Sequence, residues 1–244
     1  MKKLFLSARF SACFIFLLFM SVAATAQILD GAWQQVNDGS TVETTCIIED
    51  NYFIQAVYDK ANKKFIGTLG GICEVTPDGK MNVTIEFNTM DNTLISNSYT
   101  IDYRLDNNKL VITINGENTE WRRIDDGKGL LAGNWRITER EQDGKMNPMQ
   151  PGPRKTLKIL SGTRFQWAAI NTDTKEFFGT GGGTYTFKDG RYTETIEFFS
   201  RDSSRVGASL DFDGKVEGKR WAHSGKSSKG DKIAEIWTRQ STAP

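Results

Sequence analysis

The stretch from Leu29 to Ile124 is written a second time, landmark by landmark, from Leu131 to Gln240. LDGAW at 29–33 returns as LAGNW at 131–135, and FIGTLGG at 65–71 as FFGTGGG at 177–183. VTIEF at 83–87 answers ETIEF at 194–198, and EWRR at 120–123 answers IWTR at 236–239. A copy of about a hundred residues is too long for one unit of a solenoid and long enough to bury a core of its own, so the duplication predicts tandem domains. The expected division is 27–127 and 128–244.

What precedes the first copy has the make-up of an export signal. Lys2, Lys3 and Arg9 lead into the apolar run FIFLLFM at 14–20, and Ala24-Thr25-Ala26 supplies the small-x-small pattern of a cleavage site, so residues 1–26 are expected to be removed. Export through the inner membrane then places the protein in the periplasm or outside the cell. No other stretch approaches the 18 apolar residues of a membrane span. Removal of the signal lowers the basic count from 31 to 28 against 30 acidic residues, without blocks of like charge. That balance offers no electrostatic basis for binding nucleic acid.

Each copy reads as strands. Short period-two runs bounded by Gly, Asn, Asp and Lys recur every ten to thirteen residues, eight of them in the first copy, near 31–37, 43–49, 52–58, 64–75, 80–88, 98–105, 109–115 and 118–124, and eight at matching places in the second. Turns such as Pro77-Asp78-Gly79, Asp106-Asn107-Asn108 and Asp189-Gly190 join neighbours, and closing the sheet removes exposed edges. The expectation is all-β: two tandem eight-stranded up-and-down antiparallel barrels. Cys46 and Cys73 then fall on strands separated by a third, roughly two spacings of about 4.8 Å, too far for a disulfide.

The strand landmarks carry a resemblance. Gly31-Ala32-Trp33 and Gly133-Asn134-Trp135 open the copies, and Arg123 and Arg239 follow a Trp in the last strand. This resembles the calycin superfamily, in which a Gly-x-Trp opens the barrel and a late Arg packs on that Trp. LxGxW, GGG-TYT, YTETIEF and EIW-R together look most like small lipocalin-like domains of unknown function in secreted proteins of Gram-negative gut bacteria. The resemblance implies lipocalin-like barrels and leaves the ligand open.

Chemical motifs are sparse. The glycines at 67–71 and 179–183 lack the following helix that a phosphate cradle needs and read as strand bulges or bends. A single histidine, no Cys cluster and no run of carboxylates give no metal cage, and nothing calls for a cofactor. The repeated Trp33, Trp121, Trp135 and Trp237 read as barrel core.

Differences between the copies are more telling. Met81, Val83, Ile85 and Phe87 alternate with polar residues and are expected to face inward, and the matching set is Tyr192, Glu194, Ile196 and Phe198. Val83 thus becomes Glu194. Likewise Ile112 becomes His223, Leu110 becomes Trp221, Cys73 becomes Tyr185 and Gln55 becomes Trp167, while Cys46 becomes Lys158. Interior polar atoms need partners among themselves, water or a ligand. Trp167, Tyr185, Tyr192, Glu194, Trp221 and His223 therefore form the candidate ligand site, with a self-satisfied polar cluster as the alternative.

The second copy also inserts Asp143–Pro153 between its first two strands. It is rich in Pro and Gly, unsuited to regular structure, and offers Met146 and Met149 either as a lid at the barrel mouth or as surface. Two non-enzymatic readings follow: a binding protein for a small, partly apolar molecule in the second barrel, or an envelope structural or interaction module with filled barrels and an unknown protein partner. An enzyme using Glu194 and His223 as acid and base ranks behind both, for want of a nucleophile motif.

Overall fold

The structure, a computed structural model, describes residues 29–76 and 78–240. The expected signal segment 1–26 and Pro77 of the first-copy turn lie outside the described residues. The first copy forms β1 (Gly31–Gln35), β2 (Glu43–Glu49), β3 (Tyr52–Asp59), β4 (Lys64–Thr76), β5 (Lys80–Asn88), β6 (Ser98–Asp106), β7 (Lys109–Ile114) and β8 (Glu117–Asp125). Each strand pairs with the next, and β1 pairs with β8, closing an antiparallel barrel of eight strands.

The second copy repeats this with one addition. Its strands are β9 (Gly133–Gln142), β10 (Lys145–Pro148), β11 (Arg154–Leu160), β12 (Arg164–Asn171), β13 (Glu176–Lys188), β14 (Arg191–Phe199), β15 (Ser209–Glu217), β16 (Arg220–Lys226) and β17 (Lys232–Arg239). Closure runs through β9 and β17. The insertion is not irregular, contrary to the expectation from its composition. The turn Asp143-Gly144, both at positive φ, folds it back so that β10 pairs with the far end of β9. Met149 N continues the ladder to Thr138 O at 2.8 Å. A hairpin turn that places Gly in the left-handed region suffices to seed a ribbon, and the Pro and Gly residues that follow merely interrupt it before β11.

A second departure concerns Phe87 and Phe198. The pairing of β4 with β5 skips Glu86 between Gly70 and Gly71, and that of β13 with β14 skips Glu197 between Gly182 and Gly183. Each skipped residue is a β-bulge, and one extra residue inverts the alternation beyond it. Phe87 and Phe198 therefore turn outward, not inward. Glycine is required opposite the bulge: a Cβ on Gly183, at φ +158°, would lie 2.0 Å from Thr195 O, and one on Gly71 would lie 1.9 Å from Thr84 O. This agrees with the structural reading of the glycine runs.

Outward-turned apolar residues meet between the barrels. Ala32, Ile47, Tyr52, Ile54 and Phe87 of the first form one buried cluster with Leu157, Ile159, Ala168 and Ile170 of the second. Tyr58 stacks on Phe198 with ring centroids 4.7 Å apart. Both bulge glutamates are held here. Glu86 accepts from Tyr52 Oη at 2.7 Å and from Lys155 across the junction at 2.8 Å. Glu197 binds Arg164 of its own barrel and Lys60 of the other, the latter at 2.7 Å. Equivalent strands thus present equivalent residues to one another, as in a symmetric dimer interface.

Inside the first barrel the packing is apolar. Leu29, Trp33, Cys46, Ile48, Phe53, Cys73, Met81, Val83, Ile85, Leu110 and Trp121 form its core. Cys46 and Cys73 are both free thiols, as expected from the intervening strand. Arg123 lies over the Trp33 ring, 4.0 Å from its centroid, the packing that the calycin resemblance implies. In the second barrel Arg239 is drawn away to Asp50 across the junction, at 2.7 and 2.8 Å.

Candidate functional site

Inside the second barrel Lys158 and Glu194 stand at the places that Cys46 and Val83 hold in the first. Lys158 on β11 pairs across to Trp135, as Cys46 on β2 pairs to Trp33. Its Nζ donates to Glu194 Oε2 at 3.0 Å, and Tyr192 Oη donates to the same oxygen at 3.0 Å. The two charged side chains are only 6% and 9% exposed. The ammonium also sits among the rings of Tyr192, Phe165, Trp237 and Trp221, 5.0–5.6 Å from their centroids. Paired charge and ring faces together offset part of the desolvation that burial imposes.

A second charged set stands on β17. Glu235 Oε1 accepts from Arg140 Nη2 at 2.8 Å and Nε at 3.2 Å, and Oε2 accepts from Trp237 Nε1 at 3.1 Å. Burial pushes the Glu235 carboxyl up, but His223, Arg140 and Lys158 outweigh it and hold the group below its ordinary value. Trp121 of the first barrel bonds Thr119 Oγ1 at the equivalent place. A hydroxyl in one copy has become a carboxylate in the other.

His223 is the exception among these groups. Its ring is 3% exposed and lies against Phe212, centroid to centroid 4.2 Å. Nδ1 is 3.7 Å from Glu235 Oε2, too long for a hydrogen bond, and neither ring nitrogen has a hydrogen-bond partner. Burial above all, with Lys158 adding to it and Glu235 opposing, lowers its pKa, so the imidazole is neutral at pH 7.

These groups border a cavity of about 790 Å³ inside the barrel, open at the end where β14, β15, β16 and β17 meet their loops. Lys158, Glu194, His223 and Glu235 line it with Trp167, Phe199, Phe212 and Trp237. The volume and the mix of rings with a few polar groups match those of small-molecule pockets. Arg201, Asp202 and Arg205 after β14, and Ser227 to Asp231 between β16 and β17, form the mouth.

Of the six candidate residues, Trp167, Glu194 and His223 line the cavity. Tyr185, Tyr192 and Trp221 belong to the packed core with Trp135 and Leu131, nearer the closed end. Tyr185 Oη is bound to Ser161 O at 2.5 Å. Glu194 and His223 share no hydrogen bond, so the acid–base pair suggested for them is not formed; Lys158 and Tyr192 occupy the Glu194 carboxylate instead. The inserted ribbon does not line the cavity. Met146 borders a separate groove on the outer face of β15–β17.

Lys158, Arg140 and Glu235 escaped the sequence reading of the site. For Lys158 the signal was present, since it stands where Cys46 faces inward. Arg140 lies at the far end of β9 and Glu235 near the start of β17, and only barrel closure brings them together at Cα register.

Two closed up-and-down barrels of eight antiparallel strands, one of them opening onto a lined interior cavity, make this chain a tandem pair of lipocalin-like barrels. Residues 130–244, the second barrel, match the family model described as "Domain of unknown function (DUF4488)". Among solved structures, similarity is found to a lipocalin-like protein from Bacteroides uniformis ATCC 8492, with 13% identity over 46% of this chain and 100% of that one, TM-score 0.34. Another is an uncharacterized protein from Bacteroides eggerthii DSM 20697, with 14% identity over 45% of this chain and 98% of that one, TM-score 0.32. No curated protein matches the chain. No helix among the described residues is long and apolar enough to cross a membrane.

Proposed function

We propose that the protein is an exported, non-enzymatic binding protein whose second barrel takes up a small, partly apolar molecule. The carrying observation is the cavity of about 790 Å³, bordered by rings and by polar groups that the first barrel lacks. Trp167, Phe199, Phe212 and Trp237 supply apolar wall, and Lys158, Glu194, Glu235 and His223 supply the polar floor. The test is native mass spectrometry of the protein purified from its own host. The expected result is a mass increment of a few hundred daltons that disappears on denaturation and is diminished in an Ala169→Trp variant, because Ala169 lines the cavity and a Trp there takes up part of it. An increment undiminished in that variant contradicts the assignment.

The alternative, an interaction module of the envelope, draws on the β9–β10 ribbon, where Met146 and Met149 are each 41% exposed. Pull-down with wild type and with a variant shortened across 143–153 separates the two readings. A partner lost on shortening favours interaction, and an unchanged small-molecule increment favours binding.

A further inference from the structure

The mouth of the second barrel differs from that of the first by charge set on a shared frame. After β5 and β14 alike an Asp caps a short 3₁₀ turn, Asp91 accepting from Thr93 N and Asp202 from Ser204 N. On that frame Met90 is exchanged for Arg201 and Leu94 for Arg205. In the last hairpin Ile114 pairs with Glu117 across a two-residue turn, whereas Lys226 pairs with Lys232 across the five residues Ser227 to Asp231, which bring Lys229 to the rim.

Most charges that line the cavity are already matched. Lys158 meets Glu194 at 3.0 Å, Arg140 meets Glu235 at 2.8 Å, and Arg205 meets Asp202 at 3.0 Å. Arg201 and Lys229 remain against Asp231, and none of these three stands in an ion pair among the described residues. Arg201 Nε donates to Phe178 O at 2.5 Å, which fixes the guanidinium at the rim and leaves its Nη groups for another acceptor. An anion arriving at the opening therefore meets a surplus of positive charge.

Depth sorts the parts of the occupant. Below the rim Phe165, Trp167, Ile196, Leu210 and Trp237 line the space, where apolar carbon is removed from water. A charge carried to that depth would stand unpaired or would break the Lys158–Glu194 pair and strand one member. Resting on the binding reading above, we infer that the occupant is an amphipathic anion, with an apolar body inside the second barrel and a carboxylate, sulfate or phosphate head at the mouth, held by Arg201 and Lys229.

Three probes with one alkyl chain and different heads test this: decanoate, 1-decanol and decylammonium, each read by displacement of N-phenyl-1-naphthylamine. Both rim cations are exposed, so each contributes modestly and salt screens the contribution. At low salt decanoate is expected to bind about fivefold or more tighter than 1-decanol, with decylammonium weakest, and the gap is expected to narrow at about 0.5 M salt. Arg201→Met combined with Lys229→Gln should remove the preference for decanoate and leave the affinity for 1-decanol unchanged. The wild-type order and its salt dependence decide the matter should that variant fail to fold. Decanoate binding no tighter than 1-decanol to wild type overturns the inference and leaves a ligand cavity in place, and a preference that the double variant retains overturns the assignment to Arg201 and Lys229. Sedimentation with phosphatidylglycerol vesicles that the double variant abolishes, without preference among the soluble probes, would assign the rim to an anionic membrane surface and overturn the inference as well. Failure of N-phenyl-1-naphthylamine and all three probes to bind overturns the cavity reading too.

Discussion

Lys158 Nζ and Glu194 Oε2 meet at 3.0 Å inside the second barrel, at places that Cys46 and Val83 hold in the first. The pair is therefore an acquisition of one copy on a frame shared by both. Removing one member leaves the other charged and buried, which is costlier than removing both. Glu194→Gln is expected to lower stability by about 3 kcal/mol, and the double change Lys158→Met with Glu194→Leu to recover most of it. Urea melts of the three variants check this. Equal stability of Glu194→Gln and wild type would mean that the pair is not formed in solution.

Glu49 makes the stability of the protein depend on pH. Burial first, then the charges of Asp30, Asp50 and Asp125, raise its pKa from 4.5 to about 10, and Oε1 has no hydrogen-bond partner. Between those values the folded protein holds a proton that the unfolded chain has released. The contribution is fully present below pH 4.5 and is lost as pH rises through about 10, so stability falls with pH across that window. Glu49→Gln is expected to flatten the fall and to raise the melting temperature at pH 8. A wild-type melting temperature that does not fall between pH 5 and pH 9 would contradict this placement of Glu49.

Much of this architecture is legible in the sequence because the copies check each other. Period-two runs and repeated Gly-x-Trp starts fix strand places that a single copy would leave ambiguous, and the exchange of Val83 for Glu194 and of Ile112 for His223 points to the barrel that contains the cavity. Phe198 misleads because strict alternation carries no sign of the bulge at Glu197, although Gly182-Gly183 opposite marks where one fits. The junction left a trace that alternation alone discards: Cys46-Ile47-Ile48 and Ile159-Leu160 are apolar on consecutive residues, the mark of strands buried on both faces. Arg140 and Glu235 are out of reach because their meeting depends on closure between the first and last strands.

That junction bears on the expected division into 27–127 and 128–244. Separated, residues 27–127 and 128–244 would expose Ile47, Ile54 and Phe87 on one side and Ile159, Ile170 and Phe198 on the other. Co-expressed as separate chains, the halves are expected to form a one-to-one complex, and alone to self-associate. Analytical ultracentrifugation distinguishes this from two indifferent monomers. Asp50→Ala, which removes the acceptor for Arg239 and for Asn134 N, should weaken the complex by about 1–3 kcal/mol.

Gly183 tests the bulge. With φ +158° and a Cβ position 2.0 Å from Thr195 O, Gly183→Ala is expected to destabilise the protein by about 3 kcal/mol. A melt within a degree of wild type would show that the β13–β14 register differs from the one described.

The most direct test of a ligand site confined to the second barrel compares matched fillers in the two copies. Ala169 and Val57 hold equivalent inward places on β12 and β3, each just before a register shift. Titration with N-phenyl-1-naphthylamine, an uncharged ring probe, is expected to give one site per chain in wild type, clearly weaker binding in Ala169→Trp with its melting temperature retained, and unaltered affinity in any folded Val57→Trp. Binding of undiminished affinity in Ala169→Trp, or weakened only in Val57→Trp, would contradict the account.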